Sequence, residues 1–200
     1  MRYIYHLTHK NNFESLLKHN ILSKNLIIKK EIEYEDISMK SAQNFRKKKM
    51  ILCSQGNFSL HNYVPFFFKT TTPMLKYLKY NYSDYENLFF CKASTTSVFK
   101  NEKSYFAFSN GNLASPKSLS YYSWKMNKNK IDWDCMNMRG YPNDDPELKR
   151  KLSSEFLVLD MFDIILLDNI IIQSDDKYYR SMMQKYKIDI SIQVNRNYFF

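Results

Sequence analysis

The chain has 200 residues, 44% of them hydrophobic, which is enough apolar material for one substantial core and too little length to suggest two, so residues 1–200 are read as a single domain. Lysine and arginine outnumber aspartate and glutamate by 30 to 20, and the resulting formal charge of +10 suits a polyanionic partner. No apolar run approaches the roughly 20 residues of a membrane span, there is no signal-peptide pattern in MRYIYHLTHK, and no long basic amphipathic helix, so a cytoplasmic location without a membrane partner is expected.

Arg2 to Thr8 alternates as a strand, and Asn11 or Asn12 is placed to cap a helix over Phe13 to His19, whose Phe13, Leu16 and Leu17 share a face. Within Ile32 to Lys49 a polar helix is expected from near Asp36, ending in Arg46-Lys47-Lys48-Lys49, with its acidic start and basic end matched to the helix dipole. Val64 to Phe68 reads as a short buried strand, and Pro65 inside it points to an edge or a bulge. Thr72 then stands as N-cap and Pro73 as first residue of a helix over Met74 to Tyr82, a start that favours anions.

Leu88 to Cys91 and Tyr105 to Phe108 read as strands. From Phe108 to Glu155 the chain lacks periodicity, with a turn at Asn110-Gly111, a short helix over Lys117 to Trp124 and a breaker over Pro142 to Pro146; such loops carry function or move. Phe156 to Leu159, Ile164 to Leu167 and Ile170 to Gln173 are apolar strand runs, followed by a helix from Asp175 to about Tyr186 and a strand over Ile188 to Val194. Strands in both halves with helices between them imply α+β or mixed α/β.

Metal and disulfide chemistry find little support. Cys53, Cys91 and Cys135 are widely spaced without a CxxC, and His6, His9, His19 and His61 do not form HExxH, so reduced bystander thiols and no metal are expected. Three other groupings carry possible chemistry. His6 and Thr8, two apart on one strand face, can hold a ribose or amide together, or else satisfy backbone groups at a strand end. Arg46 is one of 6 arginines beside 24 lysines; its planar fork suits bidentate recognition, although most residues in such a basic run face solvent. Glu155 opens an apolar strand after Lys149, Arg150 and Lys151, where it can stabilise positive charge at an anomeric carbon or form an ordinary ion pair with Lys151 or Arg150.

The segments IYHLTHKNNFESLL, LHNYVPFFFKTTTPML, FAFSNGNLAS, IDWDCMN, KRKLSSEFLVLD and NRNYFF, in this order over nearly the whole chain, resemble the DarT family of DNA ADP-ribosyltransferase toxins. The resemblance implies an α+β, ADP-ribosyltransferase-like split mixed β-sheet with flanking helices around a cleft for NAD, used as co-substrate. It places NAD on His6, Thr8, Asn12, Ser23 and Arg46, with Glu155 and Arg46 catalytic; Lys47 is the neighbouring candidate for the basic position. Single-stranded DNA is the implied acceptor, because a duplex would have to expose the base by flipping. Phe67, Met74, Asn112, Lys149 and Arg150 are expected on the nucleic-acid side, with Trp124 and Trp133 as possible stacking surfaces or core. Phe67 replaces a common Tyr, Asn112 a frequent His, and Gly56 alone remains of a usual GG pair. A macrodomain antitoxin is the implied partner of such a toxin. Two competing readings are an ADP-ribosyltransferase acting on RNA or protein, and a catalytically inactive basic nucleic-acid-binding module.

Overall fold

Strand alternation and apolar runs build one large sheet, seen in a computed structural model that describes residues 2–101, 104–141 and 144–200; Pro142 of the expected breaker lies outside them. In chain order come β1 (Tyr3–His9), α1 (Phe13–His19), β2 (Ile21–Leu22), α2 (Lys24–Lys29), α3 (Lys40–Lys48), β3 (Met50–Cys53), β4 (Gly56–Ser59), β5 (Tyr63–Phe67), α4 (Pro73–Asn81), β6 (Leu88–Ser94) and α5 (Thr95–Lys100). After these follow β7 (Phe106–Ser109), β8 (Ser120–Tyr121), α6 (Trp124–Asn127), α7 (Trp133–Asn137), α8 (Pro146–Leu152), β9 (Glu155–Leu159), β10 (Met161–Phe162), β11 (Leu167–Ile172), α9 (Lys177–Tyr186) and β12 (Ser191–Val194).

Eight strands form a mixed sheet in the order β12-β11-β6-β1-β5-β9-β7-β8, antiparallel except for the β11–β12 pair. Every residue of β6 except Lys92 is buried, as expected of a strand covered on both faces. On one face Phe89, Cys91 and Ala93 meet Phe13, Leu16 and Leu17 of α1 and Tyr179 and Met183 of α9. On the other, Leu88 and Phe90 join Leu75 and Leu78 of α4 with Phe199. A third cluster, Ile51, Leu60, Tyr63, Ala107 and Leu157, lies under the β3–β4 hairpin.

The sheet is divided between β1 and β5. β1 is paired to β6 from Tyr3↔Ser94 through His9↔Leu88, whereas its only rung to β5 is Tyr5↔Phe67. β5 is paired to β9 along its full length, from Tyr63↔Leu159 to Phe67↔Glu155. Pro65 therefore sits neither at an edge nor in a bulge. The N–H and C=O of one strand residue point to the same side, and the Pro65 carbonyl is taken by the His6 ring on the β1 side, so the missing donor faces the gap, where no ladder needs it.

Other expectations are corrected by local chemistry. The polar helix starts at Lys40 and not near Asp36, because the Asp36 carboxylate accepts from the Ser38 amide and hydroxyl in an Asx-type turn and is held by Lys24 and Tyr34. Lys117 to Trp124 is not helical: Ser120–Tyr121 adds β8 to the sheet edge, and a helix begins only at Trp124. Ile164–Leu166 is a 3-10 turn whose first residue packs inward, and the last strand is shortened to Ser191–Val194. Asn12 makes no side-chain cap to α1; its amide is used elsewhere. The Thr72 cap and Pro73 start hold, with Thr72 Oγ1 accepting from the Leu75 amide at 3.2 Å. All three cysteines are buried free thiols, and burial raises the pKa of Cys91 and Cys135. Among the described residues no helix is long and apolar enough to cross a membrane.

Phe66, fully buried with its ring against Phe162 at 4.7 Å and His6 at 5.5 Å, locks β5 into this arrangement. Phe66→Ala is expected to cost about 3–5 kcal/mol in urea denaturation. Thr72→Ala, which removes only a cap, is expected to cost about 1 kcal/mol in the same measurement.

Candidate active site

The gap between β1 and β5 opens into a cleft, with His6 and Thr8 of β1 on one side and Tyr63 and Pro65 of β5 on the other. Asn12, α3 residues Gln43 and Arg46, His61, Met74 and the 34–38 segment complete much of the wall. The two histidines of HLTH separate in role. His9 is buried, its Nε2 2.7 Å from Asp84 and its Nδ1 accepting from the Asn11 amide, so it serves the turn after β1.

His6 turns into the gap. Its Nδ1 lies 2.8 Å from the Pro65 carbonyl, which can only accept, so Nδ1 carries the proton. Burial holds the pKa of the ring below its ordinary value despite that carbonyl. A neutral ring protonated at Nδ1 has a lone pair on Nε2, available to a hydroxyl or amide donor.

Thr8 and Asn12 act together. Asn12 Nδ2 donates to Thr8 Oγ1 at 3.0 Å and to the Glu35 carbonyl at 2.9 Å, while Asn12 Oδ1 accepts from the Glu35 amide at 2.7 Å. This paired bond imitates a strand rung and fastens the 30–39 segment across the cleft. Tyr82 to Glu35, at 2.9 Å, and Lys24 to Asp36, at 2.6 Å, hold the same segment from two further directions. Ser23 does not line the cleft: it is buried, and its hydroxyl accepts from the Leu26 amide at 3.4 Å as the cap of α2.

Arg46 and Glu155 meet. The Arg46 Nη1 donates to Glu155 Oε2 at 2.7 Å, with the two side chains only 17% and 7% exposed. Lys47, one residue on, faces solvent. Glu155 is fixed by its backbone as well: its amide donates to Ser109 Oγ at 3.0 Å, and that hydroxyl donates to the Gly111 carbonyl at 2.8 Å. The expected ion-pair alternatives are taken otherwise, since Lys151 pairs with Asp132 at 2.9 Å and Arg150 with Glu147 at 2.7 Å. Arg46 Nη2, His61 Nε2 and Gln43 Oε1 are buried without partners among the described residues, so the cleft wall retains unused hydrogen-bonding capacity. That capacity fits a polar ligand rich in hydroxyl and amide groups, such as a dinucleotide.

The residues expected on the nucleic-acid side fall in three places. Phe67 is half-buried at the end of β5, directly across from Glu155. Met74 belongs to the cleft wall. Asn112 and Arg150 are joined through the Asn112 amide and the Arg150 carbonyl at 2.9 Å. The Arg150 guanidinium is already occupied, donating twice to Glu147 and through Nη1 to the Asn110 carbonyl and Ser118 Oγ, so in this conformation it clamps the 110–118 loop. A Cβ at Gly111 would lie 2.2 Å from that Nη1, so a larger residue there would displace the guanidinium from this position. Lys149 is half-buried on α8. Trp124 and Trp133 are part of an aromatic cluster with Phe68, within 6.0 Å of each other, and Trp124 also packs on Phe99, Phe108 and Phe156.

Sequence reasoning missed Ser109, Gln43, His61 and the 34–38 segment. Ser109 and His61 both stand in segments that carry the resemblance, FAFSNGN and LHNYVPF, and that position was the available signal. Gln43 had only its spacing, one turn before Arg46 on the same helix face.

Known proteins share this fold. A curated DNA ADP-ribosyl transferase of Thermus sp. (strain 2.9) is 27% identical over 177 residues, covering 86% of this chain and 81% of its own length. The structure of Thermus sp. 2.9 DarT in complex with ADP-ribosylated ssDNA superposes with a TM-score of 0.90 at 21% identity, over 99% of this chain and 96% of that one. The same Thermus protein in complex with NAD+ gives 0.86 at 20% identity, over 99% and 97% of the two chains. Thermosipho africanus DarTG in complex with ADP-ribose matches all of this chain (100%) with 51% of its own, at TM-score 0.82 and 22% identity. The family model described as ssDNA thymidine ADP-ribosyltransferase, DarT, matches residues 5–200, and the chain belongs to that family.

Proposed function

We propose that this protein transfers ADP-ribose from NAD to a base of single-stranded DNA, with thymidine the nucleoside that the family description favours. The observation that carries the reading is the Arg46–Glu155 pair beside a cleft into which neutral His6 offers its Nε2. NAD supplies the ADP-ribosyl group and nicotinamide as its leaving group. His6 Nε2 accepts a hydrogen bond from the dinucleotide, and Thr8 with Asn12 keeps the covering segment in place over it. The Glu155 carboxylate, held by Ser109 and Arg46, stabilises the positive charge that the ribose gains as the nicotinamide bond breaks; it thus binds that state more tightly than the ground state. The base nitrogen forms its bond to the anomeric carbon as nicotinamide leaves with the bonding pair, its proton passing to water, and Arg46 opposes the negative charge that develops on the base. Phe67, opposite Glu155, and Met74 on the wall are suited to face the base, and Lys149 to contact phosphate.

We further propose that the chain acts as a toxin in the cytoplasm with a macrodomain antitoxin as partner, a reading that rests on the family resemblance; the Thermosipho protein named DarTG has about twice the length matched here.

Incubation with labelled NAD and single-stranded oligonucleotides is expected to label the DNA, and Glu155→Ala to lower the rate by about 10²–10³-fold or more. Wild-type protein that labels RNA or protein and leaves DNA unlabelled would sink the acceptor assignment; NAD left intact with every acceptor would sink the enzyme reading. Arg46→Lys is expected to lose at least about tenfold in rate, because an ammonium cannot hold Glu155 and a ligand in one planar fork, whereas Lys47→Ala stays near wild type. Induced expression is expected to arrest growth, relieved by Glu155→Ala or by a co-expressed macrodomain hydrolase; growth unaffected by active enzyme counts against the toxin role.

A further inference from the structure

Three polar atoms of the cleft wall have no partner among the described residues: Gln43 Oε1, Arg46 Nη2 and His61 Nε2. Their side chains converge from two elements. Gln43 and Arg46 lie one turn apart on α3, and His61 lies on the 3-10 turn of residues 60–62 that leads into β5. His61 is 6% exposed, and its Nε2 is a buried ring nitrogen without a partner among the described residues. Gln43 is oriented, since its Nε2 donates to Ser38 Oγ and so fixes Oε1 as the free atom. The three atoms are therefore set in position by the fold without being satisfied by it. Buried groups of this kind destabilise the fold if nothing fills their hydrogen-bonding capacity.

The composition of the trio states what it can take. Arg46 Nη2 only donates, Gln43 Oε1 only accepts, and His61 Nε2 accepts when the neutral ring carries its proton on Nδ1. A phosphate oxygen would satisfy the arginine and leave two acceptors facing an anion. A hydroxyl accepts from Arg46 and donates its own proton to His61 or Gln43, which uses both kinds of atom. We propose that Gln43, Arg46 and His61 form a subsite that reads a ribose hydroxyl of the dinucleotide, with His61 as its specificity-determining residue. This rests on the assignment of NAD to the cleft, and adds to it a wall opposite His6 and Thr8.

The test is calorimetric titration with a non-hydrolysable NAD analogue, and with versions of it lacking one ribose hydroxyl at a time. Wild type binds the parent analogue; no binding at all by wild type would overturn the cofactor assignment itself and not the subsite alone. His61→Ala is expected to weaken binding about tenfold, the scale of one lost hydrogen bond. One deoxy analogue is expected to bind wild type about tenfold more weakly than the parent and to bind His61→Ala no more weakly than the parent does. A merely structural role would lower all analogues alike and leave that hydroxyl's contribution intact in the variant, which overturns the proposal, as does a His61→Ala protein that binds like wild type. If thermal denaturation shows His61→Ala unfolded, His61→Asn takes its place in the same cycle.

Discussion

The hydrogen bond from the His6 ring to the Pro65 carbonyl is the interaction around which the molecule is arranged. It spans a place where a sheet would ordinarily be closed by backbone rungs. Proline at 65 removes one such rung in advance, and Tyr5↔Phe67 is left as the sole rung between the halves. The sheet can thus part without leaving an unpaired amide at that position, and the opening becomes a cleft lined by side chains from both halves. The same bond selects the ring tautomer, so one contact shapes the cavity and sets what His6 offers to its contents.

Around this opening, three supports place the charged groups. Ser109 holds the backbone at the entrance of β9, α3 delivers Arg46, and Asn12 ties down the segment that precedes α3. None of α3 is fully buried, so its position depends on these polar ties and on Phe45 packing against the hairpin cluster more than on a deep apolar seat. That is a reasonable arrangement for an element that holds a substrate-facing arginine, because polar ties can be exchanged for ligand contacts at smaller cost than a packed core can be reopened.

Much of this was legible in the chain. β1, α1, α4 and the run that becomes β9 follow from alternation, helical spacing and the Thr-Pro start, and the order of short segments pointed to the family. What escaped was non-local. Pro65 was read as an edge because a proline in a strand signals an edge on local grounds, and only the position of His6, 59 residues away, shows which side lacks a ladder. Asn12 carried the sequence signal of a helix cap, yet a paired backbone bond to Glu35 outcompeted the cap. Arg150 stands in the sequence as a candidate for nucleic acid or for an ion pair with Glu155, and its actual partners Glu147, Asn110 and Ser118 are visible only when the loop is folded. The choice of Arg46 over Lys47 is likewise a matter of helix phase, one residue turning the side chain from Glu155 to solvent.

The Arg46–Glu155 pair also limits the charge that this arginine presents to the cleft. Each group neutralises the other across 2.7 Å, so in a chain with net charge +10 this arginine does not act as a general collector of anions. A chloride or a small carboxylate would have to compete with a carboxylate already fixed in place, and would gain nothing for Glu155 in return. Only a molecule large enough to engage the arginine while giving the glutamate a new hydrogen-bond donor can exchange partners on both sides at once. The pair is in this sense a filter on ligand size and bifunctionality, set before any chemistry begins.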